Sequence, residues 1–144
     1  MGDYSDGTIS ATLWVESDNF HPDAITDCLR EEPSNVQIKG GLTGSRKTFF
    51  KKHFWDMHLG EGDPDYFYDV MRPKIIGLLG AKREELCKLR IDHSCSVWLT
   101  IVVRISVNHI GILFDSKDMT VMGEAGVGID LSIYDSEAEG GKGA

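Results

Sequence analysis

The sequence predicts a single α+β domain of 144 residues, a two-layer sandwich in which helices pack on one face of a largely antiparallel sheet. Two observations predict it. Three stretches, around Ile9–Val15, Cys95–Val107 and Val127–Tyr134, alternate apolar and polar residues with the period of two of a half-buried strand. Between them lie segments whose apolar residues recur at helical spacing, so each strand has a helix available to cover its apolar face. The length suits one domain, in which folding buries roughly 68–70% of the unfolded chain's surface.

The elements follow in chain order. Ile9, Ala11, Leu13 and Val15 alternate with Ser10, Thr12, Trp14 and Glu16 as the first strand. Pro22 suits a first helical position and Asp23 complements the helix dipole, with Ile25, Cys28 and Leu29 on one face and Pro33 as the stop. A short strand at Val36–Ile38 and the glycine-rich loop Gly40–Ser45 precede a strand within Thr48–Leu59. The turn Gly60–Pro64 opens a helix carrying Phe67, Val70, Met71, Ile75, Leu78 and Leu79, which Pro73 should kink or split. A second helical stretch, Ala81–Leu89, leads to the long strand Cys95–Val107, whose register a one-residue slip would ruin.

Asn108 and His109 suit a tight turn into Ile110–Phe114, completing a hairpin. Asp115 or Ser116 then caps a short helix stopped by Gly126, and the last strand follows. Residues 1–7 read as a flexible N-terminus, 8–135 as the domain, and the acidic, glycine-rich 136–144 as a disordered tail.

Three cysteines, Cys28, Cys87 and Cys95, sit among apolar neighbours and read as reduced thiols. The acidic start lacks a secretory pattern, and no apolar run approaches the roughly 20 residues that span a bilayer, so a cytoplasmic location is expected. The net charge of −8 disfavours nucleic acid and anionic membrane and favours a basic or neutral partner. Against that balance, residues 39–52 hold Lys39, Arg46, Lys47, Lys51 and Lys52 with no acid, either a solvated loop flank or an anion-binding patch.

Catalytic and metal patterns are weak. Asp92, His93 and Cys95 form the most metal-like cluster, with His93 and Cys95 sharing a strand face, but paired Cys or His spacings are missing and no metal or cofactor is expected. There is no GxSxG elbow, and GGLTGSRKT fails the phosphate-loop spacing. An enzyme would need His93 or His58 to meet a carboxylate or Cys.

The segment ATLWVESDNFHPDAITDCLREEPSNVQIKG, the aromatic strand at Trp55 and the end GILFDSKDMTVMGEAGVGIDLSIYD together resemble the domain of unknown function 4279 family, from about Ile9 to Tyr134. The resemblance implies the same architecture and brings no activity, cofactor or catalytic residue with it.

If the apolar strand faces meet the helices, Thr12, Trp14, Trp98, Thr100, Arg104, Asp130, Ser132 and Tyr134 fall on the opposite face. Aromatics mixed with Arg and hydroxyls are the side chains of binding surfaces, unless they merely pair across strands or lie under the loop Gly40–Thr48. Single-stranded RNA platforms also use aromatic sheets, but the negative charge opposes that version. The expected function is therefore a non-catalytic protein-binding domain, for instance an immunity or inhibitor protein neutralising a basic toxin or effector, with Trp14, Trp98, Thr100, Arg104, Asp130 and Tyr134 as contacts. The alternative is a small-molecule or anion-binding module whose basic loop closes over a pocket near Trp55 or Trp98. A homodimer through the last strand or the exposed hairpin is a further expectation.

Overall fold

The computed structural model describes residues 7–45, 48–105 and 110–135. Residues 1–6 of the predicted flexible N-terminus, the predicted tail 136–144 and the Asn108–His109 turn lie outside them, while Gly7 already belongs to the first strand. In chain order the elements are β1 (Gly7–Ser17), α1 (Pro22–Leu29), β2 (Asn35–Gln37), β3 (His53–Gly62), α2 (Pro64–Tyr66), a π-helical turn (Phe67–Met71), α3 (Arg72–Ala81), α4 (Arg83–His93), β4 (Ser96–Ile105), α5 (Ser116–Ala125) and β5 (Gly128–Asp135).

Among the described residues the five strands form one sheet in the order β2-β3-β1-β4-β5. The α+β class is as expected. The sheet is mixed: β2/β3, β3/β1 and β1/β4 are antiparallel, while β5 runs parallel to β4. That parallel pair replaces the expected hairpin. Ile110, Ile112 and Phe114 form no strand and instead pack against the core, and α5 makes the crossover that a parallel neighbour requires.

β1 lies at the centre, and its alternation is realised residue by residue. Ile9, Ala11, Leu13 and Val15 are buried, as are Val97, Leu99, Ile101 and Val103 opposite them on β4. These side chains share one hydrophobic cluster with Ile25 and Leu29 of α1, Phe67 and Met71 of the π turn, Ile75 and Leu79 of α3, Leu86 and Leu89 of α4, and Met122 and Ala125 of α5. Trp55 of β3 is 0% exposed, and its indole N–H donates to Thr26 Oγ1 at 3.0 Å, tying β3 to α1.

Local chemistry sets the helix ends. The His21 ring caps α1, its Nδ1 accepting from the Asp23 N–H, and Pro22 fills the first helical position. The helix stops before Pro33, because Arg30 turns left-handed (φ 56°) and its N–H returns to Thr26 O. Pro73 does not split its helix. It has no N–H to offer four residues back, and the preceding turn widens so that Arg72 N–H reaches Phe67 O, five residues back. Asp115 caps α5 in a reciprocal capping box with Asp118, and Gly126 ends it at φ 72°.

Candidate functional site

The sheet face opposite the core is built from rows of side chains that run across the strands. Trp14 lies between Asp56 on β3 and Trp98 on β4, and Trp98 is followed by Gly128 on β5. The next row reads His58, Thr12, Thr100 and Asp130. The register therefore brings four of the sequence-predicted residues together. Trp14, Trp98, Thr100 and Asp130, with Ile129, line one depression of about 470 Å³.

Arg104 and Tyr134 stand apart from that depression, farther along the same strands. They pair with each other across β4 and β5, the guanidinium 5.0 Å from the ring centroid. Trp98 is 40% exposed and Tyr134 47%, so the loop at Gly40–Thr48 does not bury these rings.

A second hollow of about 360 Å³ shares Trp14 and Thr100 with the first and adds Thr12, Asn35, Asp56 and His58. Asn35, Asp56 and His58 were not among the sequence-predicted contacts. β3 alternates imperfectly because it carries a register shift against Ala11/Thr12, and β2, which supplies Asn35, is three residues long. A behind-the-ring contact completes this side, with Phe54 5.1 Å from Trp14 and Phe50 6.1 Å from Phe54.

Burial pushes the half-buried Asp56 carboxyl up from its ordinary value, although a hydrogen bond from Asn35 and the nearby His58 oppose the shift. Asp130 lies 3.5 Å from the Thr100 hydroxyl, which can donate to it. Thr12 Oγ1 and His58 Nδ1 are 3.4 Å apart.

Two cations of the basic segment are engaged elsewhere. Lys52 pairs with Glu16 at 3.6 Å, Lys39 Nζ donates to Asp18 O at 3.3 Å, and Lys51 is exposed. Arg46 and Lys47 lie outside the described residues. The expectation of a pocket at Trp55 fails, since that ring is sealed in the core by the strand and helix around it.

The Asp92–His93–Cys95 cluster is also rearranged. His93 ends α4 rather than sitting on a strand, and its ring stacks on Phe20 with centroids 3.8 Å apart. Cys95 is buried, and that burial raises its thiol pKa. Cys28 is raised in the same way. Among the described residues no three His, Cys, Asp or Glu side chains are grouped to hold a metal ion, and no helix is long and apolar enough to cross a membrane.

β5 ends the sheet with its outer backbone edge unpaired among the described strands. Ile129, Leu131 and Ile133, which register with the buried Leu99, Ile101 and Val103 of β4, are exposed there. This is the edge that a homodimer through the last strand would use.

Fold and site together define a small α+β domain with a mixed sheet that presents a partly exposed aromatic and acidic surface. The family described as Domain of unknown function (DUF4279) matches residues 7–136, and the chain belongs to that family. Comparison with curated proteins and with solved structures finds no match.

Proposed function

We propose that this chain is a non-catalytic protein-binding domain that docks a basic partner on its outer sheet face, as an immunity or inhibitor protein would dock a basic effector. The supporting observation is the exposure of two aromatics on that face, Trp98 at 40% in the depression between Trp14 and Asp130, and Tyr134 at 47% farther along the strands. Large aromatics in a hollow are the residues that dominate interface energetics. Asp56, Glu61 and Asp130 lie on the same face, and the net charge of −8 accelerates encounter with a cationic protein. The anion-binding reading draws less support, because Lys39 and Lys52 already serve Asp18 and Glu16.

The test is capture from native lysate with the wild-type chain and a Trp98→Ala/Tyr134→Ala variant in parallel. A stoichiometric basic protein held by the first and released by the second is expected. Equal retention by both would remove the sheet face from the interface.

A further inference from the structure

Resting on that protein-binding reading, we propose that the anchor is a lysine or arginine side chain of the partner, seated on the outward face of Trp98 and countered by Asp130. The first observation is Gly128. A Cβ there would lie 2.6 Å from Cζ3 and 2.7 Å from Cε3 of Trp98, so the benzo ring rests against a backbone that only glycine leaves open. With the Cζ3–Cε3 side of the ring held against β5, the rest of the indole is partly open to solvent, consistent with its 40% exposure. Tryptophan is the aromatic that attracts cations most strongly over its ring.

Charge supplies the second observation. The depression over Trp98 is bounded by Trp14 and Asp130, and the Thr100 hydroxyl lies 3.5 Å from the Asp130 carboxylate on that side. On the far side of Trp14, Asp56 is a half-buried carboxylate flanked by Asn35 and His58. An apolar anchor over Trp98 would cover Asp130 without a counter-charge, whereas a cation satisfies it. The same surface already displays this chemistry within the chain, where the Arg104 guanidinium stacks 5.0 Å from the Tyr134 ring centroid.

The experiment follows the three indole N–H signals of the full chain by NMR during titration with the capped peptides Ac-Gly-Arg-Gly-NH2, its lysine counterpart, and the neutral citrulline counterpart. Trp98 should shift saturably with arginine and lysine and stay still with citrulline, while the buried Trp55 signal reports that the fold is intact. Gly128→Ala, which displaces the ring without removing it, and Asp130→Asn should each weaken arginine binding about two- to fivefold. Equal shifts with citrulline, or unchanged binding in both variants, would overturn the proposal. The two levels of inference separate with the captured partner. A partner lost on Trp98→Ala but kept by Gly128→Ala and Asp130→Asn refutes the cationic anchor and leaves docking on the sheet face in place, and one kept by all three refutes docking at Trp98 as well.

Discussion

Trp55 and Trp98 lie on opposite faces of one sheet, and their truncations should read out differently. Trp55→Ala opens a cavity in the core and leaves the Thr26 hydroxyl without its indole donor, an expected loss of about 3–5 kcal/mol in urea unfolding. Trp98→Ala should cost much less stability and abolish partner binding. Two titrating groups give opposite pH signatures. Burial, His21 and Lys39 hold the His53 pKa below its ordinary 6.5, so the folded state binds fewer protons than the unfolded chain. His53 therefore favours folding above pH 6.5, and its contribution is lost as pH falls toward its lowered folded value. Asp56, raised by burial, acts the other way, favouring the folded state at low pH and ceasing to as pH rises through its folded value. Asp56→Asn should thus stabilise the protein at neutral pH relative to its effect in acid, measurable as Tm across pH 3–7. At this scale Trp14, Trp98 and Asp130 were legible, because strand alternation alone assigns a face. Gly128 was not. Its purpose depends on registering with Trp98, thirty positions earlier in the chain, and alternation carries no register between distant strands.

At the level of elements, α5 offers the cleanest test. Asp115→Ala removes the acceptor for Asp118 N–H and half of the capping box, and should cost about 1 kcal/mol in chemical denaturation. Gly126→Ala should cost more. It meets both a left-handed φ of 72° and the Arg90 side chain, which would have to move away from the new Cβ. Gly126 could be read from sequence and the cap narrowed to Asp115 or Ser116, since caps are local chemistry; the structure selects Asp115. The Ile110–Phe114 hairpin could not be judged that way. Ile110, Ile112 and Phe114 alternate like a strand because alternate residues face the core, yet the edge beside β4 is filled by β5, chosen by non-local packing. Pro73 lies between these cases. The sequence marked the disturbance, and the continuous helical run around it decided that a wider turn, not a break, accommodates the ring.

For the whole molecule, the charge of −8 and the partly exposed sheet face act together. Association with the basic partner should slow markedly as ionic strength rises from about 0.01 to 0.15 M, where the screening length falls from about 30 to 8 Å, while dissociation changes little. Stopped-flow mixing measures both rates. Charge and composition made the acidic balance of the chain legible from the start. The side of the face that carries Asn35, Asp56 and His58 was hidden by a bulged strand and a three-residue neighbour. The most direct measurement is backbone and indole NMR shift mapping of the chain with its captured partner bound. The account predicts perturbations concentrated at Trp14, Trp98, Thr100, Asp130 and Tyr134. Perturbations confined to α3, α4 and α5, with the sheet face unmoved, would contradict it.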